Sequence, residues 1–79
     1  MPNTFYCTAH EVRIPAFRGY GPLVIPAGLR CRPITTGGTA GKFFLDQLPV
    51  GIFPADSFLR HDATYYGVVL EPADVKVCG

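Results

Sequence analysis

The sequence predicts an all-β fold, a small barrel of five to six short strands with one or two short helical turns. Three observations lead there. Nine glycines and eight prolines are spaced through all 79 residues and cut the chain into short runs. Several of those runs alternate apolar and polar residues, the two-residue period of a half-buried strand. No amphipathic stripe of helical period survives for ten residues without a Gly or Pro.

Taken in order, TFYCTA sets Phe5 and Cys7 against Thr4, Tyr6 and Thr8, and EVRI extends that strand toward Pro15. LVI, residues 23–25, leads into the turn Pro26-Ala27-Gly28. LRCRPI then turns Leu29 and Cys31 inward and shows Arg30 and Arg32 to solvent. Pro33 makes that strand an edge, or ends its pairing there. TTGGTAG, residues 35–41, is a hairpin connection, and KFFLD puts Phe43 and Leu45 on one face and Phe44 on the other. LPVGIFPA turns through Pro49 and Gly51, and ADSFL suits one helical turn. TYYGVVL, residues 64–70, is the strongest late strand, EPADV fits a single helical turn, and KVC closes the chain as a last strand.

Composition bounds the class. The chain is 48% apolar and 16% charged, too apolar and too near neutral for a disordered segment, and its length suits one domain spanning residues 1–79. MPNTFYCTAH shows neither a basic start nor an apolar run, and no stretch approaches a membrane span, so a cytoplasmic protein without a membrane partner is expected. Three cysteines, Cys7, Cys31 and Cys78, are an odd number, which favours reduced, buried thiols over a disulfide framework. Residues 1–45 carry a net charge of +4 and residues 46–79 a net −3. Folding either neutralises the two halves or leaves a basic face for an acidic partner.

Residues 23–59 resemble the core of an SH3-like barrel. LVIPAGLRCRPI looks like the strand, diverging turn and strand of that fold, GKFFLD is similar to its aromatic strand, and GIFPADSF resembles its Gly-x-Phe-Pro stretch and short helical turn. The acidic arm and the tryptophan pair that serve proline-rich ligands are missing, with Phe43-Phe44 in place of the latter. The resemblance therefore implies the fold without the peptide specificity. In size and style the chain also resembles small accessory proteins of phages and mobile elements, which act by binding.

Catalytic candidates are few. His61-Asp62 supplies a base and an orienter, and Ser57 a hydroxyl, but no nucleophile elbow frames them. Cys7-x-x-His10, with Cys31, His61 and Cys78, has the ligand types for zinc but only one tight pair. GGTAGK, residues 37–42, lacks the spacing of a phosphate loop. No enzyme activity, cofactor or metal is expected. Arginines and aromatics are the residue types enriched at binding hot spots. The expected function is accordingly a non-catalytic protein-binding module, of the accessory or inhibitor kind, for a larger protein. Its contact residues are Phe17, Arg18, Tyr20, Arg30, Arg32, Phe44, Arg60, His61 and Tyr66. The alternative is a nucleic-acid-binding small barrel using the basic N-terminal half. In the barrel so drawn, Phe53, Phe58 and Leu59 pack inward, and Arg60-His61-Asp62 makes an exposed turn into the last long strand.

Overall fold

A computed structural model describes residues 4–79; residues 1–3, part of the segment read for a leader, lie outside the described residues. Short strands dominate. Tyr6–Thr8 (β1), Val12–Ile14 (β2), Leu23–Ile25 (β3), Arg30–Pro33 (β4) and Phe43–Leu45 (β5) come first. A helix, Phe58–Tyr66 (α1), then precedes Val69–Leu70 (β6), a 3-10 turn at Pro72–Asp74 and Val75–Val77 (β7). Five strands form one antiparallel sheet in the order β6-β5-β4-β1-β7, curled into a half-barrel, and β2 and β3 form a separate hairpin.

Register assigns the faces, because residues directly opposite one another share a side of the sheet. Tyr6 pairs with Cys31 and Cys31 with Leu45, and that row faces the core. Cys7 pairs with Arg30 and with Lys76, and Arg32 with Phe44, so these project from the outer side. The core gathers Ile25, Phe53, Val68 and Leu70, all essentially inaccessible. Thr8 is also fully buried and is satisfied. Its hydroxyl donates to the Pro26 carbonyl at 2.7 Å and accepts from the Leu29 N–H at 3.0 Å, which fixes the Pro26-Ala27-Gly28 turn onto β1. Gly28 has φ +88°, a conformation that favours glycine.

Four expectations need correction. The strand beginning at Tyr6 does not run on to Pro15. The Ala9 N–H bonds to the Asp74 carbonyl at 2.8 Å, and the chain bends there before β2 pairs with β3 instead. Of the two readings of Pro33 the edge fails, because β4 is the central strand between β1 and β5, and the end of pairing holds, because Pro33 is the last residue of β4. TYYGVVL is not one strand. Its first half completes α1, and only Val69–Leu70 remain extended.

The helix wins that segment for local and tertiary reasons. The Ser57 hydroxyl caps it by accepting from the Arg60 N–H at 3.0 Å. Gly67, at φ +82°, ends it, and its missing Cβ leaves room for the Phe44 ring, which a Cβ there would strike. Ala63 and Leu59, four residues apart, face the core, so burial overrides the strand preference of Thr64-Tyr65-Tyr66. Phe58 falls on the opposite side and is 81% exposed rather than packed inward.

The fourth correction concerns the thiols. Cys7 and Cys78 form a disulfide between β1 and the end of β7, with Cα atoms 5.8 Å apart, within the range such a bond requires. They are diagonal neighbours on the outer face, which an odd count of three cannot reveal. Cys31 is free and buried, and burial pushes its thiol up to about 11. β7 contributes little to the core, since Lys76 and Val77 are exposed and only Val75 is half-buried. Its attachment therefore rests on the β1 ladder and the disulfide. The bond closes a loop spanning nearly the whole chain, so Cys7→Ser with Cys78→Ser should lower unfolding free energy by about 2–5 kcal/mol in urea titration. An unchanged midpoint would show that the pair contributes nothing.

Candidate binding surface

The connection from β2 to β3 carries Phe17, Arg18 and Tyr20, and α1 carries His61 and Tyr66; the structure brings these five together. Phe17 anchors the loop from below. It is buried in the core cluster and offers no surface of its own. Above it the chain turns tightly, with the Tyr20 N–H bonded to the Phe17 carbonyl at 2.8 Å. Arg18, at φ +47°, and Gly19, at φ +84°, make the turn. A left-handed arginine costs on the order of 1 kcal/mol. Its return is position: the Arg18 guanidinium lies 3.5 Å from the centre of the Tyr66 ring, a cation–π contact between loop and helix.

A second bond joins the same two segments. The Tyr20 hydroxyl donates to the Asp62 carboxylate. Hydrogen bonding to that carboxylate, chiefly, raises the Tyr20 phenol above its ordinary value. On the helix itself, Phe58, His61 and Tyr65 stand at positions i, i+3 and i+7 on the solvent side. The His61 and Tyr65 rings stack with centroids 6.3 Å apart, and Tyr65 meets Tyr66 edge-on at 4.8 Å. Phe58 is 81% exposed, Tyr65 74%, Tyr66 49% and Tyr20 40%. Phe58 and Tyr65 are missing from the expected contact set, because Phe58 is expected in the core and a strand over residues 64–70 sets Tyr65 and Tyr66 on opposite faces. The capping serine followed ten residues later by Gly67 is the signal that finds them.

Arg60 does not join this surface. Its guanidinium turns inward and donates to the Leu48 carbonyl at 2.8 Å and the Phe53 carbonyl at 2.7 Å. It clamps the 48–53 connection to α1, so Arg60-His61-Asp62 is a helical turn with one side chain inside rather than an exposed loop. Arg30, Arg32 and Phe44 lie elsewhere, on the outer face of the sheet. Arg32 is 5.1 Å from the Phe44 ring centre and ion-pairs with Asp46 at 3.4 Å.

The polar groups considered for catalysis or metal binding have other partners. Ser57 caps α1 and donates to the Pro54 carbonyl at 2.6 Å. Asp62 holds Tyr20 and His61 stacks on Tyr65. Cys7 is in the disulfide and His10 pairs with Asp74 at 2.8 Å. Among the described residues no three His, Cys, Asp or Glu side chains converge to hold a metal ion, and no helix is long and apolar enough to cross a membrane.

No protein-family model matches this chain, and no curated protein or solved structure shows significant similarity to it.

Two outcomes check the geometry. Arg60→Ala loses both carbonyl bonds of a charged donor and should cost about 1.5–3 kcal/mol in thermal or urea unfolding. Arg60→Ala unfolding like the parent would remove the clamp. Asp62→Asn should bring the Tyr20 phenol down toward its ordinary value in a spectrophotometric titration; an unmoved titration would mean that the two side chains do not meet.

Proposed function

We propose that this protein is a non-catalytic protein-binding module whose contact surface is the outward side of α1 together with the loop carrying Arg18 and Tyr20. In this reading the small barrel is SH3-like and the chain acts in the manner of a phage-type accessory or inhibitor protein on a larger protein. The observation that carries it is the concentration of exposed rings. Phe58, Tyr65, Tyr66 and Tyr20 together expose on the order of 500 Å² of aromatic surface. That is more than half of what one partner buries in a standard interface.

The arrangement supports recognition rather than mere exposure. The loop is tied to the helix by the Arg18–Tyr66 stack and the Tyr20–Asp62 bond, so the surface is ordered before any partner arrives. Tyrosines and a stacked arginine combine apolar area with hydrogen-bonding tips, the chemistry of interface hot spots. Non-catalytic action is supported by the prior engagement of Ser57, His61 and Asp62. In a cytoplasmic setting the Cys7–Cys78 pair would be reduced, leaving β7 held by its ladder alone; the binding surface does not draw on that strand.

The test is affinity capture from a lysate by the tagged chain and by a Phe58→Ser, Tyr65→Ser variant. Both residues are mostly exposed, so melting temperature and circular dichroism should match the parent. A partner retained by the parent and lost by the variant is the expected result. Equal capture by both would overturn the assignment of this surface.

A further inference from the structure

We infer that the outer face of the five-stranded sheet is a second and independent binding site, for single-stranded nucleic acid, with Arg30 on Phe5 and Arg32 on Phe44 as its stacking stations. The Arg30 guanidinium lies 4.4 Å from the Phe5 ring centre and that of Arg32 5.1 Å from the Phe44 ring centre. Register puts Arg30, Arg32, Phe44 and Lys76 on the same side of the sheet. Phe5 joins them one step before β1, where the Cys78 N–H bonds to the Phe5 carbonyl at 2.8 Å and the ladder continues.

On this face a depression of about 220 Å³ beside Phe5 and Cys78 shares Arg30 and Gln47 with a second of about 400 Å³ that Asp46 also borders. An elongated ligand crossing the face meets Arg30 and Arg32 about 7 Å apart along β4. Each guanidinium sits over a ring, and a guanidinium is also a surface on which an unpaired base stacks.

Charge and hydrogen bonding select the occupant. Three cations, Arg30, Arg32 and Lys76, stand on this face against the Asp46 carboxylate. That balance favours a polyanion. The strands beneath, β1, β4 and β5, are paired on both sides, so they offer an extended peptide no free backbone groups. What the face does offer is rings, guanidinium planes and positive charge, the combination that holds single strands without reading sequence. Asp46, 3.4 Å from Arg32, opposes a phosphate. Asp46→Asn should therefore tighten binding, a sign that a purely structural role for the ion pair does not give.

The probe is a fluorescein-labelled dT12 oligonucleotide, followed by anisotropy at 50 and 200 mM salt with the intact chain. Binding in the micromolar range at low salt, weakening as salt rises, is expected. Arg30→Gln with Arg32→Gln should weaken it at least tenfold and flatten its salt dependence, and Phe44→Leu should weaken it several-fold with the salt dependence retained. The Phe58→Ser, Tyr65→Ser variant should bind dT12 like the parent, so this site and the α1 surface fail separately. No binding at 50 mM salt, equal binding by the arginine variant, or polyglutamate competing as well as dT12 would each overturn the inference. So would a duplex bound as tightly as the single strand, because stacked bases cannot reach the guanidinium planes.

Discussion

Everything on the α1 surface depends on how Arg60 is held. A guanidinium drawn inward must find acceptors, and it finds two backbone carbonyls, of Leu48 and Phe53, in the connection that precedes the helix. Those bonds fix the rotation of α1 about its own axis. With Arg60, Ala63 and Leu59 turned to the body of the protein, Phe58, His61 and Tyr65 have only solvent to face. Phe53, which supplies one of the carbonyls, is itself inaccessible at the centre of the core. The clamp thus links the most buried ring of the molecule to the orientation of its most exposed ones.

The same economy governs the loop above the helix. A left-handed arginine and two glycines bend it sharply, and Phe17 pins its base in the core. Arg18 and Tyr20 then reach across to Tyr66 and Asp62. A loop held at its root by burial and at its tip by a stack and a charged hydrogen bond loses little freedom on meeting a partner. The sheet's outer face is ordered differently, by ladders on both sides of β4 and by rings lying under guanidinium groups.

The strands were largely legible in the residues, and the helix was not. LVI, the Leu29–Cys31 alternation and the split of Phe43 from Phe44 are two-residue patterns that register then enforces, so local sequence and tertiary structure agree there. At residues 58–66 they disagree. Thr64-Tyr65-Tyr66 prefers extended backbone, but Ser57 and Gly67 punctuate a helix, and the Ala63 and Arg60 contacts decide. That one reversal removed Phe58 from the expected core, moved Arg60 off the expected surface and hid Tyr65 from the contact set. The disulfide was hidden for a different reason: Cys7 and Cys78 become neighbours only through the β1–β7 register, 71 residues apart in sequence.

The α1 surface rests most directly on the conformation of residues 58–70. Backbone carbon chemical shifts measured by NMR on the labelled chain report it residue by residue. Helical shifts from Phe58 to Tyr66, a break at Gly67 and ring-current displacement of the Arg18 side-chain protons over Tyr66 are the predicted result. Extended shifts running unbroken from Thr64 to Leu70, with no contact between Arg18 and Tyr66, would contradict it.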